Sequence, residues 1–173
     1  MMSGDVMNIK KIRVDKEGAG MGWGAVYAQY LESMDQISGQ GNGLSVSRQL
    51  YKGDEALNES APLKVGDKIT VRLTVKADRD MDFVQIKDDR AACMEPLQAV
   101  SGFRWSNGLG YYQATKDAST QFFIDQMRKG TYVIEYQVYV NRTGEYQAGI
   151  ATVQSAYAPE FGGHTGGYRV MVE

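Results

Sequence analysis

Residues 68–76, Lys-Ile-Thr-Val-Arg-Leu-Thr-Val-Lys, alternate strictly between polar and apolar side chains, and no other pattern in the sequence constrains the fold as much. Successive side chains of a β-strand point to opposite faces, so the alternation predicts a strand with one buried and one solvated face. Antiparallel sheets commonly leave one face in water, whereas parallel sheets are covered on both. The segment therefore favours an antiparallel, all-β fold.

Shorter patterns of the same kind recur along the chain, separated by turns, and no convincing amphipathic helix lies between them. Twenty glycines and eleven tyrosines agree with a turn-rich β protein. Together these features predict one antiparallel β-sandwich. The predicted strands cover residues 6–14, 23–30, 44–51, 68–76, 81–87, 118–127, 131–140, 145–155 and 168–172, and residues 91–112 are predicted to be irregular.

Two glycine-rich segments divide the chain. Residues 39–43, Gly-Gln-Gly-Asn-Gly, are predicted to be a linker between an N-terminal segment and the main domain. Residues 157–167 contain Pro159 and four glycines between two predicted strands. Glycine permits positive φ and proline lacks a backbone donor, so this second segment is predicted to be a shaped loop that presents Tyr157 at its mouth.

Charge and cysteine content exclude several classes of protein. A net charge of −2 without a basic run argues against binding to nucleic acid or to an anionic membrane. No apolar stretch approaches the length of a membrane span, and the first residues lack the apolar segment of a signal peptide. Cys93 is the only cysteine, so no internal disulfide forms. A protein of this kind that works outside the cytoplasm is expected to carry this sequence as part of a longer chain.

Two motifs suggest chemistry but lack required parts. Gly20, Gly22 and Ala25 fit a dinucleotide-binding loop, yet residues 39–43 stand where the second strand of that motif belongs. Asp78, Asp80 and Asp82 have the spacing of calcium ligands but lack the glycine and the later bidentate acid of a calcium loop. We therefore expect a glycine hairpin in the first case and a solvated edge between strands in the second.

The single histidine and one aromatic segment remain open alternatives. His164 could act as a base, but nothing in the sequence orders a nucleophile beside it, and one His with one Cys cannot form a metal cluster. Residues 103–112 mix aromatics with glycines. They are expected to cap the core under a long loop, the alternative being an exposed platform in a stand-alone adhesion or carbohydrate-binding sandwich. No cofactor or metal is predicted.

Seven short phrases, in order from about Trp23 to the end, resemble the C-terminal region of bacterial alpha-2-macroglobulins. Their order and spacing carry the resemblance. The phrases are Trp23-Gly-Ala-Val-Tyr27, Leu63-Lys-Val-Gly-Asp67, Asp78-Arg-Asp-Met81, Gly108-Leu-Gly-Tyr-Tyr112, Asp117-Ala-Ser-Thr120, Lys129-Gly-Thr-Tyr132 and Tyr157-Ala-Pro-Glu-Phe161.

The resemblance implies a macroglobulin-like, immunoglobulin-like sandwich over residues 41–173, preceded over residues 1–40 by the tail of a CUB-like domain and a linker. It implies a non-enzymatic module of a large protease inhibitor, periplasmic or lipid-anchored in the cell envelope through a part outside this chain, that serves in bacterial defence. In that family an internal Cys–Gln thioester captures the attacking protease. The implied partners are the upstream thioester and CUB-like domains, and target proteases through the full-length protein.

The resemblance also implies different roles for Cys93 and Tyr157. The family's thioester motif is Cys-x-Glu-Gln, whereas this chain has Pro96 three residues after Cys93, and proline has no carboxamide to supply the acyl group. Cys93 is therefore expected to be a half-buried structural thiol. In similar bacterial proteins a tyrosine in a Tyr-x-Pro segment shields the thioester, and that tyrosine matches Tyr157, with Pro159 completing the segment. The alternative is that Tyr157 anchors its own loop in the sandwich.

Overall fold

The computed structural model describes residues 15, 17–22, 39–58 and 61–173. The chain divides into two compact units, Met1–Glu32 and Ser33–Glu173, and most described residues belong to the second. The strands predicted over residues 6–14 and 23–30 lie outside the described residues. Within the described ranges, no helix is long and apolar enough to cross a membrane.

The second unit is built from β-strands, as the alternating patterns predicted. The strands among the described residues are β1 (Gln40–Asn42), β2 (Leu44–Lys52), β3 (Glu55–Ala56), β4 (Lys68–Ala77), β5 (Met81–Asp89), β6 (Met94–Pro96), β7 (Gly102–Ser106), β8 (Leu109–Thr115), β9 (Ser119–Met127), β10 (Gly130–Val140), β11 (Gly144–Ala148), β12 (Ala151–Ser155), β13 (Gly162–His164) and β14 (Tyr168–Val172).

These strands form an antiparallel sandwich, which confirms the predicted fold class. The large sheet has the order β6-β10-β4-β2-β1-β13-β12-β5-β9-β8-β7, with β3 beside β2, and a second sheet pairs β11 with β14. The large sheet folds back on itself at β1 and β13. Its two halves then face each other across the core, where the rings of Phe122 on β9 and Tyr136 on β10 lie 5.9 Å apart.

The segment with the strictest alternation lies at the centre of one layer. In β4 the side chains of Ile69, Val71, Leu73 and Val75 are all buried, while the intervening positions are partly exposed. β4 pairs with β2 on one side and with β10 on the other. Its apolar face therefore anchors the first layer against the second.

Residues 91–112 are more regular than their glycines suggested. They contain β6, β7 and the start of β8, and the last two form a hairpin through Asn107-Gly108. Both turn residues have positive φ, +51° and +78°. Asn-Gly is a strong signal for this kind of two-residue hairpin turn, because it tolerates that conformation at both positions. The prediction of an irregular segment was wrong because Asn107-Gly108 was interpreted as part of a glycine-rich loop and not as a hairpin turn.

The predicted linker at residues 39–43 is also wrong, because most of it forms β1. β1 pairs with β13, and glycines on both strands permit the contact. A Cβ on Gly41 would lie 2.6 Å from the carbonyl oxygen of Leu44, and one on Gly163 would lie 2.7 Å from the same atom. Glycine is therefore required here for close backbone approach at the fold of the sheet, not for flexibility.

Residues 145–155, predicted as one strand, form two strands in different sheets. β11 pairs with β14, whereas β12 pairs with β5 and β13. The chain passes between the sheets at Gly149, where an added Cβ would lie 2.4 Å from the Cβ of Asp89. The buried positions change phase here, from Ala148 in β11 to Ala151 and Val153 in β12, and the sequence prediction overlooked this change.

A buried ion pair joins the two layers of the sandwich. The Arg48 guanidinium of β2 contacts the Asp88 carboxylate of β5 at 2.5 Å, with the side chains 5% and 1% exposed. Arg48 also donates to the carbonyl of Gly149 at 2.6 Å, and the Tyr136 hydroxyl donates to Asp88 at 2.8 Å. The Arg48 guanidinium lies 4.5 Å from the ring centroid of Tyr168. This network fixes β5 and the start of β12, the two strands that carry the candidate site.

The network perturbs each of its titratable groups. Burial raises the pKa of Asp88, although Arg48 and the Tyr136 hydroxyl oppose the shift. Burial alone would lower the pKa of Arg48, but the Asp88 charge reverses this and the net shift is upward. Burial raises the pKa of Tyr168 to about 12 against the opposing charge of Arg48. Burial beside Asp88 also raises the pKa of Tyr136 well above its usual value, so both phenols stay neutral at physiological pH.

We expect Asp88→Asn to lower the free energy of unfolding by about 3–5 kcal/mol, because it leaves the Arg48 cation buried without its counter-charge. Urea unfolding of the 173-residue chain, followed by circular dichroism, measures the change. The exposed pair of Arg72 and Glu135 offers a control, since Glu135→Gln should leave the unfolding midpoint nearly unchanged. Equal effects of the two substitutions would contradict a central role for the buried pair.

Candidate functional site

The loop between β12 and β13 is short and internally bonded. The Ser155 amide donates to the carbonyl of Phe161 at 3.1 Å, and the Phe161 amide donates to the carbonyl of Ala158 at 2.9 Å. The Gln154 side chain donates to the carbonyl of Pro159 at 3.2 Å. Since Pro159 also fixes its own φ, residues 156–161 form a stiff projection at the end of a hairpin.

Tyr157 is presented to solvent on this projection. Its side chain is 79% exposed, so the ring is not inserted into the core. One face-to-edge contact holds it, with the ring of Phe83 on β5 at 5.0 Å between centroids and 84° between planes. Phe83 is itself 48% exposed. Tyr157 and Phe83 therefore form an exposed aromatic pair on the outer face of the second layer.

Phe83 has a backbone conformation that an aromatic residue rarely adopts. Its φ is +52°. The left-handed region costs a residue with a Cβ roughly 1–2 kcal/mol. In this conformation the Phe83 carbonyl accepts the amide of Ala156 at 2.9 Å, which ties β5 to the base of the Tyr157 loop. The strain therefore lies directly beneath the exposed tyrosine, where strained residues often serve function.

The conformation of Phe83 also changes which side chains face the core. Met81 and Val84, three residues apart, are both buried, as are their partners Met127 and Ile124 on β9. Unbroken alternation along the predicted strand would place Met81 and Phe83 on one side and Val84 on the other. That assignment was wrong because it assumed unbroken alternation through Phe83, and Phe83 was not recognised as part of the site.

Two of the glycines after Tyr157 serve packing rather than turn formation. Gly162 and Gly163 belong to β13, and neither has positive φ. A Cβ on Gly162 would lie 2.9 Å from the carbonyl oxygen of Val153 on the neighbouring strand. The predicted shaped loop is therefore shorter than expected and ends before Gly162.

Cys93 is more deeply buried than predicted. Its side chain is fully buried rather than half-buried, and burial raises the pKa of the thiol. A buried thiol with a raised pKa forms little of the nucleophilic thiolate. Cys93 therefore behaves as a packing residue of the core.

The other candidate groups do not assemble into a chemical centre. Asp78 pairs with Arg79 at 2.8 Å, and Asp80 accepts the amide of Lys129 at 2.7 Å. His164 lies in β13 with its Nδ1 3.0 Å from the carbonyl oxygen of Thr165. Across the described ranges, no group of three His, Cys, Asp or Glu side chains could hold a metal ion.

The aromatics of residues 103–112 do not cap the core as expected. Phe103 is 83% and Trp105 is 76% exposed, on a strand at the edge of the large sheet. Only Tyr111 turns inward, where its ring packs against Phe122. The expectation failed because β7 alternates its side chains at the sheet edge, and its aromatic positions fall on the outer side.

The conformation of Phe83 predicts an unusual order of stabilities. In an ordinary strand, glycine is about 0.5–1 kcal/mol less stabilising than alanine. At Phe83 we expect the reverse, with Phe83→Gly more stable than Phe83→Ala by about 1 kcal/mol, because only glycine is relieved of the left-handed strain. Chemical unfolding of the two variants measures this, with Gln85→Gly and Gln85→Ala on the same strand as the matched control. An alanine variant more stable than the glycine variant would contradict the assigned backbone conformation.

Comparisons with known proteins agree with this fold. The family model described as the bacterial alpha-2-macroglobulin MG10 domain matches residues 43–160. Among characterised proteins, Circularly permutated Ras protein 2 of Dictyostelium discoideum is 29% identical over 138 residues, which cover 76% of this chain and 4% of that protein.

Solved structures show the same architecture. A tyrosine variant of Salmonella alpha-2-macroglobulin matches with TM-score 0.65 and 20% identity, over 78% of this chain and 10% of that one. Native Escherichia coli alpha-2-macroglobulin, from domain MG7 to the C-terminus, matches with TM-score 0.65 and 17% identity, over 78% and 24%. The trypsin-activated Escherichia coli protein matches with TM-score 0.66 and 15% identity, over 79% and 11%.

The chain thus spans only a small part of the proteins that it matches, while the family model covers most of the described domain. The chain belongs to the bacterial alpha-2-macroglobulin MG10 domain family.

Proposed function

We propose that this chain is the C-terminal module of a bacterial protease trap, in which Tyr157 and Pro159 cover the thioester of an upstream domain. The family to which the chain belongs is one of protease inhibitors, not of enzymes. The Escherichia coli relatives are described as activated by trypsin or by porcine elastase, and the Salmonella relative as reacted with methylamine. We extend this behaviour to the polypeptide that carries this chain.

The exposed position of Tyr157 on a stiff loop is the observation that carries the proposal. A ring that is 79% exposed and held from one side by Phe83 can be covered by another surface without any rearrangement of its own domain. Preorganised contacts of this kind lose little conformational entropy on docking. Aromatic residues with a polar end are also enriched at protein interfaces.

The proposed role of the ring is to keep water and amines away from an acyl carbon. A thioester is lost when either nucleophile attacks that carbon, breaks the carbon–sulfur bond and releases the cysteine thiol. A flat aromatic ring packed against the bond removes the space that water needs. The hydroxyl group of Tyr157 can meanwhile hydrogen-bond to polar groups at the rim, so that docking leaves no buried polar group unpaired.

The wider setting of the module forms part of the same proposal. Residues 1–40 would include the end of a preceding CUB-like domain. The CUB-like and thioester domains of the same polypeptide would be its partners, and target proteases would reach it through the full-length protein. The location would be the periplasm or the cell envelope, in bacterial defence, with any lipid anchor outside this chain.

We expect Tyr157→Ala in the full-length polypeptide to speed the reaction of the thioester with methylamine by about tenfold or more, which corresponds to a loss of about 1.4 kcal/mol from the barrier. The released thiol can be followed with a chromogenic thiol reagent under native conditions. Cys93 should add no background, because it is fully buried. Tyr157→Phe should stay within about threefold of the parent, since it keeps the ring.

Tyr139→Ala provides the matched control for this experiment. Tyr139 is a partly exposed tyrosine on β10, in the opposite layer, and its hydroxyl donates to Glu95. Its loss should leave the reaction with methylamine unchanged. Equal rates for Tyr157→Ala and the parent protein would remove Tyr157 from the shielding mechanism.

A further inference from the structure

We infer that the outer face of β5, β9, β8 and β7 is an interface for another folded domain of the same polypeptide, continuous from Tyr157 to the edge strand β7. This inference extends the proposed function, on which its choice of partner rests. The surface is called here the aromatic face. Its members are Phe83, Phe103, Trp105, Tyr112, Phe123 and Tyr157.

The strand register places three of these rings in one row across three strands. Phe103 on β7 lies opposite Tyr112 on β8, and Tyr112 lies opposite Phe123 on β9. The rings of Phe103 and Tyr112 make an edge contact with centroids 5.1 Å apart. Phe123 is 39% exposed although it lies on a central strand of the layer. The row is therefore a continuous band of aromatic surface on the solvent side.

Trp105 widens this band at the sheet edge, and Phe123 connects the band to the strand of the candidate site. Trp105 lies opposite Gly110 on β8, and a Cβ on Gly110 would be 2.8 Å from the indole ring. The missing side chain lets the indole lie flat along the sheet. Phe123 of the first row lies opposite Gln85 on β5, two residues from Phe83. With strands about 4.8 Å apart, the row from Phe103 to Gln85 spans about 14 Å.

The edge strand β7 lacks the usual protection against contact with other chains. Exposed edges commonly carry lysine, proline or inward-pointing charges. β7 is Gly-Phe-Arg-Trp-Ser, and the guanidinium of its one charged residue, Arg104, is held back on the sheet by Gln113 at 3.1 Å. An apolar surface of this kind marks an interaction site in a soluble protein.

Two observations favour a domain of the same polypeptide as the occupant. First, the solved relatives extend far beyond the region that this chain matches, which is 10% of the Salmonella protein, so most of such a polypeptide is available to cover the face. Second, the rings on β7, β8 and β9 lie in one row with Gln85 of β5, two residues from Phe83, so one partner surface can cover them together with Tyr157. The rings border a hollow that Arg104, Asp125 and Arg128 also line. Binding of a carbohydrate in this hollow is therefore the competing outcome that the test below has to separate.

Site-specific photo-cross-linking in the full-length polypeptide tests the inference. A benzophenone amino acid replaces Trp105, the native protein is irradiated, and cross-linked peptides are mapped by mass spectrometry. We expect links from position 105 to residues upstream of this chain within the same molecule. The same replacement at Tyr139, in the opposite layer, controls for nonspecific capture and should not give those links.

The outcomes separate this inference from the proposed function. Links only between molecules would overturn the inference in favour of a second copy, and links only within residues 41–173 would overturn it in favour of a free surface. Specific binding of glycans by the native full-length protein that is lost in Trp105→Ser would also overturn it. Upstream links at Trp105 together with an unchanged methylamine rate in Tyr157→Ala would support the interface while removing the shielding role.

Discussion

The ion pair between Arg48 and Asp88 is the constraint on which the arrangement of the sandwich depends. A charge with its side chain 5% exposed is tolerated in a protein core only with a counter-charge and hydrogen bonds, and this network supplies both. Because Arg48 also binds the carbonyl of Gly149, a shift of one layer against the other would leave a buried charge or a buried carbonyl unpaired. The network therefore selects one alignment of the layers, which hydrophobic packing alone would specify less sharply.

That alignment places β5 beside β12 and thereby sets the position of the Tyr157 loop. Asp88 at one end of β5 belongs to the buried network, and Phe83 near the other end holds Tyr157. The left-handed backbone of Phe83 lowers the stability of the fold, and the contacts of the surrounding sheet offset this loss. Because the Phe83 ring is half exposed, it contributes little to the core. We infer that its role is to form an exposed surface with Tyr157.

The sequence predicted the parts of this structure that depend on alternation and missed those that depend on backbone conformation. The alternation in β4 identified the buried strand of the first layer, and the loop residues identified Tyr157 as an exposed side chain. The glycines at β1 and β13 resembled a linker and a loop because composition does not distinguish glycine that bends from glycine that fits between strands. The left-handed φ of Phe83 has no signal in its neighbours, so the residue that supports Tyr157 could be recognised only in three dimensions.

Solvent labelling of Tyr157 in the full-length polypeptide, before and after protease treatment, tests the central claim most directly. Hydroxyl-radical footprinting with mass spectrometry gives the modification rate of this residue, with Tyr139 as an internal reference. If the module covers the thioester until a protease cleaves the full-length protein, Tyr157 is protected from modification in the native protein. After cleavage, the modification rate of Tyr157 rises severalfold while that of Tyr139 stays constant. A high rate of Tyr157 modification in the native protein, unchanged by the protease, would contradict the account.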